Sequence, residues 1–346
     1  MTLLARGEKA LGEAVEALEG ELRDREAMGK GDSKGEGGGY GGCEESRVRY
    51  RAVDVSDYAA VETVAKELCG TDAGPPSMLF NVAGISSSER FVETEPKEFD
   101  RLMRVNYLGT AYATRAFLPH MLGKESGYDG RGSEGGLGDG MIVLTSSAAG
   151  QVGVYGYSAY SPTKYALRGL AEVLAMELPP HVKIQIAYPP DTDTPGYELE
   201  QVGKSRETQL ISESAGLFRA EDVARSMVAA ALSPRPSFQV YFGLEGWMLS
   251  TLTSGMGPVY GMIDALSQVV LMGLLRLVSL FYLADFRRIV KRCYREKVVA
   301  QMGDGIDGRS VEEKVVCRDN RDNGVKTYGE GEETIKGEWL CGGAGW

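Results

Sequence analysis

Apolar and polar positions along this chain alternate between two rhythms. Short apolar runs recur as "TLLA" at 2–5, "VRYRAVDVS" at 48–56, "SMLFNVAG" at 77–84, "MIVLTSS" at 141–147 and "VKIQIAYP" at 182–189. Each is rich in β-branched and aliphatic residues and is bounded by polar or turn-forming ones, which predicts strands. The stretches between them carry helical spacing: a charged pattern after the first run, then segments around 57–69, 96–121 and 159–178. Strands alternating with helices require crossovers, so the fold class is α/β, a doubly wound parallel sheet covered on both faces. Ligands of such sheets bind at the carboxyl ends of the strands. The telling residues should therefore lie in "VDVS", "NVAG", "TSSAAG" and "YPPDTDTPG".

The rhythm breaks in three places. Gly-rich stretches at 29–42 and 123–140 read as insertions. Gly37–Gly42 happen to satisfy G-x-G-x-x-G, but they follow a charged helix and precede a strand, the reverse of what a pyrophosphate loop needs, so they read as a loop. Residues 258–283 are strongly apolar yet carry Asp264 and Arg276, and Arg287, Arg288, Lys291, Arg292 and Arg295 follow. Charges within such a run favour a tilted or interfacial membrane helix over a clean span, with a buried core or dimer helix as the alternative. The resulting division is a large α/β domain over 1–245, a hydrophobic membrane-associating region over 246–297 and a polar, disordered tail over 298–346.

Composition narrows the function classes. With 346 residues and 43% hydrophobic content the chain can build a sizeable core, and its net charge of −11 repels phosphate backbones, which excludes nucleic acid as a partner. Cys43, Cys69, Cys293, Cys317 and Cys341 include no C-x-x-C, and His120 and His181 stand without a ligand cluster. That pattern predicts no metal site and suits a reducing compartment.

Candidate chemistry concentrates in "YGYSAYSPTKYALRGL" at 155–170. A tyrosine that exchanges protons near neutrality needs a cation beside it. On a helix the residue four along shares its face, and of Tyr155, Tyr157, Tyr160 and Tyr165 only Tyr160 has a lysine there, Lys164. Alone, the pair would read as an ordinary solvated one. Ser147, thirteen residues before Tyr160, closes a predicted strand where a hydroxyl can reach a substrate carbonyl, and Ser146 is an equal neighbour. Asn106 falls in the preceding helix, where it could also be an ordinary polar residue.

Together these residues resemble the short-chain dehydrogenase/reductase family. The resemblance implies a Rossmann-like fold and catalytic roles for Ser147, Tyr160, Lys164 and Asn106. Tyr160 would be the general acid, Lys164 the residue that lowers its pKa and holds the nicotinamide ribose, Ser147 the carbonyl anchor and Asn106 the tetrad asparagine. It further implies cofactor contacts at Asp54, Asn81, Gly84, Thr192 and Thr194, with Val82 where a second Asn is more usual. An acid after the second strand of the family pattern would bind a ribose 2′-hydroxyl. "TLLARGEK" offers Arg6 instead, which points to NADPH. Lys9 either adds charge there or is an ordinary surface lysine. Within the family, "GYSAYSPTKYALRGLAEVLAMEL" and "GLEGWMLSTLTSGMGPV" resemble the branch that reduces a long-chain 3-keto sphingoid base at the endoplasmic reticulum membrane, catalytic domain facing the cytoplasm. Another lipid or steroid ketone is the alternative substrate, an inactive membrane-associated remnant the alternative role, and a homo-oligomer is left open. The family's first strand and its T-G-x-x-x-G-x-G loop are expected ahead of "MTLLAR", so the domain is read as N-terminally truncated.

Overall fold

The alternation of apolar runs and helical stretches is realised as parallel strands joined by crossover helices. The computed structural model describes residues 2–29, 49–71, 74–123, 140–178, 182–213, 216–259 and 261–302. Gly37–Gly42 and the tail beyond Met302 lie outside them. In chain order the first elements are β1 (Thr2–Ala5), α1 (Glu8–Gly29), β2 (Arg49–Ala52), α2 (Tyr58–Cys69) and β3 (Met78–Asn81). Then come α3 (Pro96–Leu102), a π-helical turn (Met103–Leu108), α4 (Gly109–Met121), β4 (Gly140–Thr145), a 3-10 turn (Ala148–Gly150), α5 (Tyr160–Glu177) and β5 (Val182–Ala187). The remainder is β6 (Thr192–Asp193), α6 (Pro195–Gln201), α7 (Arg206–Ser212), β7 (Phe218–Arg219), α8 (Ala220–Ala231), β8 (Gln239–Val240), α9 (Gly243–Leu252) and α10 (Met262–Met302). The sheets and the site belong to the first of two compact units, Met1–Cys293; the second is Tyr294–Trp346.

Among the described residues the main sheet has the order β3-β4-β5-β8, all parallel, and β1 pairs with β2 in a separate parallel ribbon. The helix expected over 96–121 is one helical run interrupted by the π-turn. Strand β2 is shorter than its apolar run, because Val53 to Asp57 already form the turn that caps α2, whose first amides bond the Asp57 side chain.

Strand β4 shows why its sequence is a continuous apolar run. Ile142 and Leu144 face α5, packing with Leu167, Ala171, Ile184 and Ile186, while Met141 and Val143 face α8, packing with Val223 and Met227. Both faces are covered, so alternation disappears from the sequence. Each such aliphatic side chain removed from water stabilises the fold by about 1.5–3 kcal/mol. A third cluster joins α2 and α4 through Val61, Ala65, Ala113 and Phe117, with Leu4 of β1 and Leu79 of β3 against it. The carboxyl ends of β3, β4 and β5 thus come out side by side on a rigid support.

Candidate active site

Strand β4 delivers Ser146 and Ser147 at its carboxyl end, and the 3-10 turn that follows lies against α5. Ser146 is buried and its hydroxyl donates to the Lys164 carbonyl at 2.8 Å. It is consumed by packing. Ser147 caps the turn by accepting from the Ala149 amide at 3.2 Å, and its hydroxyl hydrogen-bonds the Tyr160 phenol. Between the two serines left open by the sequence, Ser147 is the one beside the phenol. The close approach depends on Gly150, where an added Cβ would stand 2.3 Å from Ser146 Oγ and 3.0 Å from the Lys164 backbone.

Tyr160 opens α5 and Lys164 lies one turn later, with Nζ 5.7 Å from the phenol ring centroid. Lys164 is buried and donates to the Thr145 carbonyl at 3.0 Å. Burial lowers its pKa to about 8, because desolvation disfavours the ammonium. Burial likewise pushes the Tyr160 phenol up, with the Ser147 hydrogen bond pulling the other way and the Glu200 and Asp191 carboxylates adding to the rise. Lys164 is not among the groups that shift the phenol, so the lowering expected of it is not seen, and burial leaves Tyr160 protonated.

Asn106 is fully buried in the π-turn. Its Nδ2 donates to the Ile85 carbonyl at 2.9 Å and to Thr163 Oγ1 at 3.0 Å, and its Oδ1 accepts from the Ile85 amide at 2.8 Å. It therefore clamps the loop after β3 onto α5. Asn81 is anchored by donating to Thr114 Oγ1 at 3.1 Å. Gly84 passes so close that an added Cβ would lie 3.3 Å from both Asn106 Oδ1 and Lys164 Nζ. Thr194 caps α6 by accepting from the Tyr197 amide at 3.1 Å, and Thr192 donates to the Pro190 carbonyl at 2.9 Å.

A cavity of about 1060 Å³ brings together Gly84, Ser147, Tyr160, Lys164, Thr192 and Thr194. Asn81 and Asn106 lie outside its lining. Arg6 and Asp54 are paired with each other at 3.7 Å, largely exposed, and Asp54 also accepts from Ser56. Lys9 lies on exposed α1 and pairs with Glu13 at 3.9 Å. None of these three lines the cavity. The far wall is apolar and comes from α9 and α10, including Leu249, Leu252, Leu275 and Phe286. Gln151 ties that wall to the site by donating to Ser250 Oγ at 2.9 Å, and Arg168 bonds the Ser254 carbonyl at 2.6 Å.

Sequence reasoning missed a polar cluster at the cavity: Glu200, Asp191 and Tyr157 line it, and Lys204 pairs with both carboxylates. The available signal was the i, i+4 spacing of Glu200 and Lys204, but that spacing ordinarily marks a solvated pair. Among the described residues no group of His, Cys, Asp or Glu could hold a metal ion.

The short chain dehydrogenase family matches residues 41–201. A 3-dehydrosphinganine reductase of Danio rerio is 44% identical over 73% of this chain and 72% of its own length. A 3-ketodihydrosphingosine reductase of Dictyostelium discoideum is 34% identical, over 63% of this chain and 62% of its own. Among solved structures, a short-chain dehydrogenase from Streptomyces avermitilis superimposes with a TM-score of 0.52 at 23% identity, covering 80% of this chain and 87% of that one.

Proposed function

The chain belongs to the short-chain dehydrogenase family, and on that premise we propose that it reduces 3-oxosphinganine to sphinganine with NADPH, at the cytoplasmic face of the endoplasmic reticulum membrane. The observation that carries this reading is the meeting of Ser147, Tyr160 and Lys164 in one cavity whose far wall is apolar. The names of the relatives support the substrate. Helix α10 supports the location, being long and apolar enough to cross a membrane, with little of its apolar stretch fully buried.

The residues present fit a nicotinamide cofactor. Val82, 59% exposed, Ala83 and Gly84 form an open edge of the cavity, and the bare Gly84 backbone lets Lys164 Nζ and Asn106 Oδ1 come close to that edge. Lys164, Gly84, Thr192, Thr194 and Asn81 would hold the nicotinamide half and Asp54 the adenine half. When bound, the cofactor supplies a hydride to the carbonyl carbon. Ser147 donates a hydrogen bond to the carbonyl oxygen, and Tyr160 gives that oxygen its proton. Lys164 then steadies the phenolate left behind. Asn106 acts by positioning, since it ties the loop after β3 to the helix that bears Tyr160.

The test is kinetic. Tyr160→Phe should keep its fold and lose about 10²- to 10⁴-fold in turnover of 3-oxosphinganine, the range for a general acid. A loss below about threefold would remove Tyr160 from the mechanism. Arg6 addresses cofactor choice: its exposed pairing with Asp54 is weak enough to yield to a phosphate. Arg6→Ala should raise the KM for NADPH well above any change for NADH, and equal changes would reduce Arg6 to a surface charge.

A further inference from the structure

Beside Tyr160, two carboxylates that line the cavity, Glu200 and Asp191, share one cation, Lys204. Glu200 accepts from the Tyr157 hydroxyl through Oε1 and from Ser86 Oγ at 2.6 Å through Oε2. Lys204 Nζ lies 3.2 Å from Glu200 and 3.5 Å from Asp191, and its side chain is 1% exposed. The trio therefore carries two carboxylates and one ammonium, a net charge of −1 in a wall that water reaches poorly. Buried charge without a partner is costly. Asp191 shows that cost, since burial pushes its carboxyl up against the pull of Lys204.

The excess charge sits one ring from the chemistry. Tyr157 packs edge-on against Tyr160 with centroids 5.3 Å apart, and its hydroxyl ends on Glu200. Both carboxylates act electrostatically on the Tyr160 phenol. A second, independent feature of the same cavity also calls for a donor. Gln151 is 5% exposed, its amide nitrogen is held by Ser250 and Thr253, and its Oε1 has no hydrogen-bond partner among the described residues.

We propose that Glu200, with Asp191, recognises an ammonium group on the carbon next to the ketone, and so makes the site select 2-amino ketones over plain ketones. The assignment rests on the function proposed above and adds the groups that read the head of its substrate. With the carbonyl oxygen held by Ser147 and Tyr160, the nitrogen on the neighbouring carbon would lie in the cavity that Glu200 and Asp191 also line. Its positive charge brings the trio to neutrality. Lys204 bridges the two carboxylates and holds them in place without cancelling both.

The experiment compares two substrates with the full chain: 3-oxosphinganine and the same long-chain ketone lacking the 2-amino group. Glu200→Gln and Asp191→Asn each remove one negative charge from the trio. Each should lower the ratio of kcat/KM for the aminoketone over the amine-free ketone by about 10- to 100-fold, the range for losing a hydrogen bond to a charged group. Because the reading is a ratio within one preparation, partial misfolding cancels. An unchanged ratio in both variants, with wild type still preferring the aminoketone, overturns this assignment and leaves the proposed function standing. A wild-type chain that reduces the amine-free ketone and not 3-oxosphinganine overturns both.

Discussion

Burial poises the charge of Lys164 near neutrality. Its pKa is brought down to about 8 by burial, whereas the Tyr160 phenol is pushed up and keeps its proton through the physiological range. Loss of function with rising pH therefore belongs to Lys164. In ketone reduction, kcat/KM should fall as pH rises through about 8, and Lys164→Arg should carry the falling limb to higher pH, since a guanidinium keeps its charge. A limb that stays put in Lys164→Arg would assign it elsewhere. Stability runs the other way. Between about 8 and the ordinary 10.5 the unfolded chain holds more protons at this lysine than the folded one, so this contribution to stability rises with pH across that window. The same burial that sets the lysine up for its task makes its protonated form a cost to the fold.

At the scale of elements, the contact between the 3-10 turn and α5 sets the spacing of Ser147 and Tyr160. It tolerates no side chain at Gly150, because the obstructing atoms include the Lys164 backbone as well as Ser146 Oγ. Gly150→Ala should destabilise the protein by about 1–3 kcal/mol, the usual cost of overpacking, and should lower kcat more than it raises KM. Thermal denaturation with steady-state kinetics checks it, and wild-type values in both would show that the turn yields freely. The sequence makes the strand ends legible, because apolar runs such as "MIVLTSS" stop where the buried sheet stops. Tyr160 and Lys164 are legible only when their helical spacing is read together with Ser147 and Asn106. The π-turn at Asn106 is not, since the side-chain pattern of "MRVNYL" looks the same whether the backbone bonds four or five residues back. Glu200 and Lys204 are hidden for another reason: their burial comes partly from Ser86 and Tyr157, which reach them across long stretches of chain. Spacing within one segment carries no trace of that.

Over the whole molecule, the described residues form two kinds of surface. One is the charged exterior expected of a chain with a net charge of −11. The other is α10, where Met262, Ile263, Val269 and Phe281 stand open while Leu275 is buried. The apolar run over 258–283 was readable as a membrane-seeking element. That the same helix also supplies Leu275, Val278, Tyr282 and Phe286 to the wall of the catalytic cavity was not, since that depends on how the helix returns to the domain. This double use changes what concentration means for the enzyme. Drawing a long alkyl chain out of lipid costs about 0.8 kcal/mol per methylene, so with α10 in a bilayer, as proposed, a substrate sliding along it would not cross bulk water. Its encounter with the site would then be a search in two dimensions, governed by its mole fraction in the bilayer. Adding inert phosphatidylcholine vesicles at fixed total substrate and enzyme should slow turnover in proportion to the dilution, whereas a rate that follows bulk molarity would mean that the tail enters from solution.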